Sequence, residues 1–303
     1  MTNNYIHNEN VLLSILIINY NGKHYLGPCF NSIRQHLTVP YEIILVDNAS
    51  QDGSIGYIQT YHPDVNLIIS EKNLGFAAGN NLAARSAKGH YLLLLNNDTL
   101  ILSDLKEALS LLKCNPNIGI LSCKMIGHSN EYRLSVGHFP SPLRLFLFST
   151  IFNRKGPFKD GNFPKKNNNT FYEVDWIEGS FILTRSEIWK SLNGMDDKYF
   201  MYGEDIDYCK RVKNMGFNVV YLPSLSYLHY GGYTSNRLGM LIKGFRRYHK
   251  KFSTVYTYLT AQCILTFGLM IRATAYYLLT IFYNKQFSQK TKACIKALKD
   301  SPW

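Results

Sequence analysis

Four short apolar runs punctuate the first hundred residues: Leu12–Ile18 (LLSILII), Glu42–Val46 (EIILV), Val65–Ser70 (VNLIIS) and Tyr91–Leu95 (YLLLL). Each is of strand length and nearly unbroken in apolar character, the pattern of a strand buried on both faces. Helix-length segments lie between them at Tyr25–Gln35, Ser54–Tyr61 and Ala77–Ser86. This alternation predicts an α/β fold with a mostly parallel sheet covered by helices. In such sheets ligands bind beyond the carboxyl ends of the strands.

The residues that follow the strands therefore carry the first functional signal. They are Asn19-Tyr20-Asn21, Asp47-Asn48-Ala49-Ser50 and Asn96-Asn97-Asp98. One such cluster is ordinary turn chemistry. Three delivered to the same sheet edge favour a ligand site. Further along, Asn153–Thr170 (NRKGPFKDGNFPKKNNNT) reads as a long loop, suited to an acceptor-side lid.

The pattern changes again near the end of the chain. Phe252–Tyr283 is strongly apolar, with Arg272 as its one Lys, Arg, Asp or Glu and Gly268 near its middle. The run exceeds the roughly 20 residues needed to span hydrocarbon. Basic clusters flank it on both sides, Lys243 to Lys251 and Lys285 to Lys299. A spanning helix normally has its basic excess on one side, so the flanks suit a re-entrant or interfacial helical hairpin with both ends cytoplasmic. A buried helix pair with a solvated basic tail is the plainer alternative.

Charge sharpens this division. The chain of 303 residues has a net charge of +12, but residues 240–303 hold eleven of the 33 Lys and Arg and one of the 21 acids. The tail thus carries +10 and residues 1–239 only +2, which removes the main support for a nucleic-acid partner. The expected organisation is a catalytic domain over 1–239 and a basic, apolar helical tail over 240–303. The six cysteines show no CxxC and no Cys/His spacing, so neither a zinc site nor a disulfide framework is expected and a cytoplasmic setting fits. The polar Met1–Asn10 is not expected to act as a signal peptide.

Six motifs occur in order: SILIINYNG (Ser14–Gly22), VDNASQDGS (Val46–Ser54), NLGFAAGNN (Asn73–Asn81), LLLLNNDT (Leu92–Thr99), WIEGSFILTR (Trp176–Arg185) and GEDIDYCKR (Gly203–Arg211). Together they resemble family 2 of the inverting glycosyltransferases, the GT-A fold, and within it the rhamnosyltransferase-like bacterial branch. The resemblance covers about Leu12 to Tyr233.

That resemblance implies a nucleotide-sugar donor, a dTDP- or UDP-sugar, and a glycan or lipid-linked acceptor. By it, Asp47 hydrogen-bonds the donor's pyrimidine, and Asn19, Tyr20, Asn21 and Asn48 belong to the same donor-binding set. Asn73 and Gly75 open a loop into a helix whose N–H groups suit a diphosphate. Asn96-Asn97-Asp98 takes the place of the family's DxD signature, with Asp98 binding Mg²⁺ or Mn²⁺. Asn96 can reach a ribose but adds no charge. His229, 24 positions after Asp205, is the implied second metal ligand, although a lone His is often structural. Asp205 is the implied base that takes the acceptor's proton, with Glu204 orienting it or the acceptor. Trp176, Glu178 and Gly179 would border the acceptor pocket. The plainer reading of Glu204-Asp205, acids favouring a helix dipole, is kept for Asp207, which should pair with Lys210 or Arg211.

Two other classes compete. A nucleotidyltransferase also joins an α/β sheet to metal-bound phosphates, but should show a basic Gly-rich segment after the first strand, which NYNGKHYLG matches only faintly. A non-catalytic membrane-associated binding module leaves Asp205 without a role. No P-loop or GxGxxG pattern supports a kinase or dehydrogenase.

Overall fold

Leu13 to Ile17 are buried without interruption, as a strand covered on both faces must be. In the computed structural model, which describes residues 11–133, 135–150, 171–231, 237–282 and 286–301, they form strand β1 (Leu13–Asn19). Helix α1 (Lys23–His36), β2 (Tyr41–Asp47), α2 (Ser54–Tyr61), β3 (Asn66–Ile69), α3 (Gly75–Ala84) and β4 (Tyr91–Asn96) follow in the expected order. A second run comprises β5 (Thr99–Ile101), α4 (Lys106–Cys114), β6 (Ile118–Ile126), β7 (Tyr132–Arg133), β8 (Val136–Gly137) and α5 (Pro142–Ser149). After the segment 151–170, where the expected lid loop lies outside the described residues, come β9 (Tyr172–Val174), β10 (Trp176–Ile177), β11 (Phe181–Arg185), α6 (Ser186–Ser191), α7 (Glu204–Asn214) and β12 (Asn218–His229). Three helices complete the chain: α8 (Arg237–Phe252), α9 (Val255–Phe282) and α10 (Gln286–Asp300).

Among the described residues the main sheet has ten strands, in the order β3-β2-β1-β4-β11-β6-β12-β5, with β7 beside β6 and β9 beside β12. The first four are parallel, with β1 between β2 and β4. The other half is mixed. Strand β11 runs antiparallel to both β4 and β6, while β12 lies parallel to β6 and antiparallel to β5. Register places the strand ends level: Asn19 lies opposite Asp47, and Ile18 opposite Asn96. The three polar clusters therefore leave the sheet at one edge.

The described residues form two compact units. The first holds the sheet and its covering helices, up to residue 136 together with 171–200 and 204–231; the second holds 137–150, 201–203 and the residues from 237 onward. Within the second unit, α9 buries Ala261, Leu265, Leu269 and Ala273, spaced four apart along one face. Helix α5 packs there as well as α8 and α10. Gly268 lets it approach: an added Cβ would collide with the Ser149 hydroxyl. The hairpin expected within 252–283 is not formed. Val255–Phe282 is one unbroken helix of 28 residues, because nothing in it breaks helical geometry and its isolated glycine serves a contact. At 1.5 Å per residue it is about 42 Å long, more than the ~30 Å of a hydrocarbon core. Its Val255–Ile281 portion is long and apolar enough to cross a membrane by length and composition. Tyr256, Leu259, Phe267, Met270, Ile271 and Ile281 are exposed along it.

Candidate functional site

The buried strand ends are joined by side chains before any ligand is considered. Asn19 and Asp47 are both fully buried. The Asn19 amide donates to Asp47 Oδ2 at 2.9 Å and to Ser50 Oγ at 3.1 Å, while Asp47 Oδ1 accepts from the Ser50 amide at 2.8 Å. Asn97 donates to Asn19 Oδ1 at 2.7 Å. Gly22 permits that approach, since a Cβ there would strike the Asn97 amide. Asp47 thus has both oxygens engaged inside the protein, the local turn geometry that its residue type favours. The exposed part of this edge is Tyr20, 53% accessible, and Asn21, whose left-handed backbone (φ 52°) turns the chain so that its Oδ1 accepts from Gln51 N at 2.7 Å.

The loop before α3 is braced against the same edge. Asn73 Oδ1 accepts from Gly75 N at 2.9 Å, and Asn48 donates to Gly75 O at 3.1 Å. Gly75 has φ +79°, a conformation that glycine alone adopts freely. A Cβ on it would meet the Phe200 carbonyl, which accepts from Phe76 N at 2.8 Å.

Antiparallel pairing of β12 with β5 sets His229 opposite Thr99 and so beside Asp98. His229 Nε2 lies 3.3 Å from Asp98 Oδ1 and 3.4 Å from the Asn96 amide nitrogen. Asp98 Oδ2 accepts from Gly231 N at 3.1 Å. Burial pushes the His229 pKa down, but the hydrogen bond and charge of Asp98, with the charge of Glu178, outweigh it and leave the pKa raised. Glu178 Oε1 sits 3.8 Å from the other ring nitrogen, Nδ1. The two ring nitrogens face different ways, and among the described residues no group of three or more His, Cys, Asp or Glu is placed to hold a metal. Asp98 and His229 nevertheless offer one carboxylate and one imidazole side by side. That donor pair suits a hard or borderline divalent cation whose remaining ligands are oxygens.

Glu204 and Asp205 open α7. Asp205 Oδ2 accepts from Gly179 N at 3.1 Å and Oδ1 from Ile206 N at 2.8 Å. Burial, aided by the charge of Glu178 and opposed by those N–H groups, raises the Asp205 pKa to about 6. Glu204 is more deeply buried, with no partner for Oε2 among the described residues. Burial and the charges of Asp205 and Asp207 hold it well above the usual carboxylate range. Burial thus raises the pKa of both neighbours, that of Asp205 to about 6, which lets it exchange a proton near neutral pH. Asp207 is fully buried and pairs with Arg211 at 2.6 Å, the structural role expected of it.

Four predicted groups are thus brought together: Asn19 with Asp47 and Asn97; Asn48 with Asn73 and Gly75; Asn96 with Asp98 and His229; Asp205 with Gly179. Tyr20 stands apart, exposed. The role of Glu178 exceeds the sequence reading, because its charge acts on both His229 and Asp205. Ser50 was visible only as part of a polar cluster.

This arrangement has relatives. The N-acetylglucosaminyl-diphospho-decaprenol L-rhamnosyltransferase of Mycobacterium tuberculosis is 24% identical over 251 residues, 75% of this chain and 78% of that protein. The rhamnosyltransferase WbbL of Escherichia coli K12 is 30% identical over 203 residues, 63% of this chain and 72% of its own. In fold, the mannosyltransferase PcManGT from Pyrobaculum calidifontis, solved with GDP-Man and Mn²⁺, matches with a TM-score of 0.57 at 14% identity, covering 96% of this chain and 86% of that one. The model of glycosyl transferase family 2 matches residues 14–181, from β1 to the first residue of β11. A GT-A sheet that gathers these motifs at one edge, together with that match, makes the chain a member of glycosyl transferase family 2.

Proposed function

We propose that this glycosyltransferase moves a sugar, with rhamnose the first to test, from a dTDP- or UDP-linked donor to a lipid-linked or polysaccharide acceptor with inversion. The observation that carries this reading is Asp205. A carboxylate with a pKa of about 6, held by two backbone N–H groups at the start of a helix, is suited to accept a hydroxyl proton near neutral pH. Glu204, buried beside it, would orient it or the acceptor. Tyr20 and Asn21 offer the base an accessible edge over the Asn19–Asp47 network, and Asn73 and Gly75 bring backbone toward the diphosphate.

Asp98 and His229 would hold Mg²⁺ or Mn²⁺, which supplies charge neutralisation for a departing diphosphate. Residues 1–239 carry the chemistry in this reading, and 240–303 bring the protein to the inner face of the cytoplasmic membrane. The exposed apolar residues of α9 and its basic flanks support that placement. A panel of nucleotide sugars, scored for Mn²⁺- or Mg²⁺-dependent thermal stabilisation and transfer, tests the proposal. Stabilisation by a dTDP- or UDP-sugar that vanishes in Asp98→Ala is the expected result. No response to any nucleotide sugar overturns it.

A further inference from the structure

The helical unit contains a buried cation with no carboxylate paired to it among the described residues. Arg246 on α8 is only 8% exposed, whereas Lys243 and Lys250 on the same helix are exposed. Its Nη2 donates to Thr266 Oγ1 of α9 at 2.8 Å, but Nε and Nη1 have no partner among the described residues. The titratable group that acts on it is the Tyr258 hydroxyl, not a carboxylate. From Arg237 to Ser301 the sequence offers one acid, Asp300, at the far end of α10.

Other buried polar groups lie within one turn of this contact on both helices. Tyr258, Gln262 and Thr266 are spaced four apart, so they share one face of α9; Thr266 bonds Arg246, and Gln262 lies one turn before it. Gln262 is 1% exposed, and neither its Oε1 nor its Nε2 has a partner among the described residues. His249, one turn beyond Arg246, is equally buried. Burial pushes its pKa to about 4, so it is uncharged at neutral pH, and its Nε2 is also without a partner among the described residues. A buried guanidinium with unanswered donors is costly; carboxylates and phosphates both match its fork, and in a segment whose one acid is Asp300 a phosphate, with more acceptor oxygens, is the better match for several N–H donors.

We propose that Arg246, Gln262 and Thr266, at the α8–α9 interface, form a phosphate-binding site. Its ligand is either a phospholipid headgroup or free inorganic phosphate. The membrane reading above bears only on the first source, since the exposed apolar side of α9 would set a headgroup beside this cluster.

Thermal unfolding of the full-length protein tests this without donor, metal or acceptor, so the outcome is independent of the transfer chemistry. Melts are compared in chloride, in inorganic phosphate at matched ionic strength, and with phosphatidylcholine vesicles containing or lacking phosphatidylglycerol. Wild type should melt higher with phosphate or with the anionic vesicles; a response to vesicles alone identifies the headgroup as the source, and a response to phosphate alone the free anion. Lys243→Gln, which removes one exposed charge from the same helix, should respond as wild type does. Arg246→Met should lose the response and, in chloride, melt at or above wild type, because the unpaired charge is gone. Gln262→Leu should bind phosphate about tenfold more weakly. The proposal is overturned if wild type responds to neither anion source, or if both Arg246→Met and Gln262→Leu respond fully. It is also overturned if Arg246→Met melts far below wild type in chloride, which would show that the cation is satisfied within the protein.

Discussion

Replacing Asp205 with Asn separates catalysis from stability in opposite directions. Loss of the proposed proton acceptor should lower transfer by about a hundredfold to ten-thousandfold, or about 3–5 kcal/mol of barrier. The same change should stabilise the fold. The Asp205 pKa rises from 3.8 to about 6 on folding, so between those values the folded state binds more protons than the unfolded chain. Stability therefore falls as pH rises through this window, and above about pH 6 the full cost is present. At 1.36 kcal/mol per pKa unit the cost is at most about 3 kcal/mol, and coupling to Glu204 reduces the share that one substitution recovers. Asn carries no charge and retains an oxygen for Gly179 N or Ile206 N, so Asp205→Asn should melt a few degrees above wild type at pH 7.5 and no higher at pH 4. Wild-type transfer should itself rise with pH through about 6. Transfer within tenfold of wild type would refute the base assignment. A melting difference that does not change with pH would refute the physical account of the shifted carboxylate.

Three further outcomes are expected. Asp98→Ala should weaken Mn²⁺-dependent binding of a nucleotide sugar; titration calorimetry giving wild-type affinity would count against Asp98 as a ligand. Gly75→Ala forces a side chain into the left-handed region and toward the Phe200 carbonyl, and should cost about 3 kcal/mol in urea unfolding; an unchanged midpoint contradicts the packing. Leu259→Glu combined with Ile271→Glu, at exposed sites on α9, should reduce co-flotation with vesicles several-fold. Equal recovery with vesicles would remove that face from the membrane reading.

The parallel half of the sheet was legible because local signals agree with one another there. Buried apolar strands with polar ends recur at β1, β2 and β4 with helix-length spacers between, whereas β3, expected to be covered on both faces, is half-exposed because it lies at the edge of the sheet. The mixed half was not, because the insertion of β11 between β4 and β6 depends on pairing between segments far apart in sequence, which no local pattern records. The same limit applies to the site. Asn19, Asp47 and Asn97 could be read as strand-end residues, but the charge of Glu178 acting on both His229 and Asp205 arises only once three distant segments meet. Charge patterning set an expected boundary at 240, yet it gave no reason to expect residues 137–150, with α5, to join the C-terminal helices in one compact unit. It also favoured a hairpin, since flanking charges report on topology and say nothing of Gly268 fitting against Ser149.

The bonds linking Asn19, Asp47, Ser50 and Asn97 have a consequence for how such a chain can evolve. These residues come from three strand ends, and the Asn19 amide, the Ser50 N–H and the Asn97 amide all donate to acceptors within the set. Replacing one leaves another buried and unanswered, at about 1–3 kcal/mol for each orphan, so the four positions are under pressure to change as a set or not at all. Tyr20 and Asn21 sit on top of that network without being locked into it to the same degree. If the proposed donor site is right, new nucleotide preferences should enter the lineage through those two positions, while the layer beneath them stays fixed.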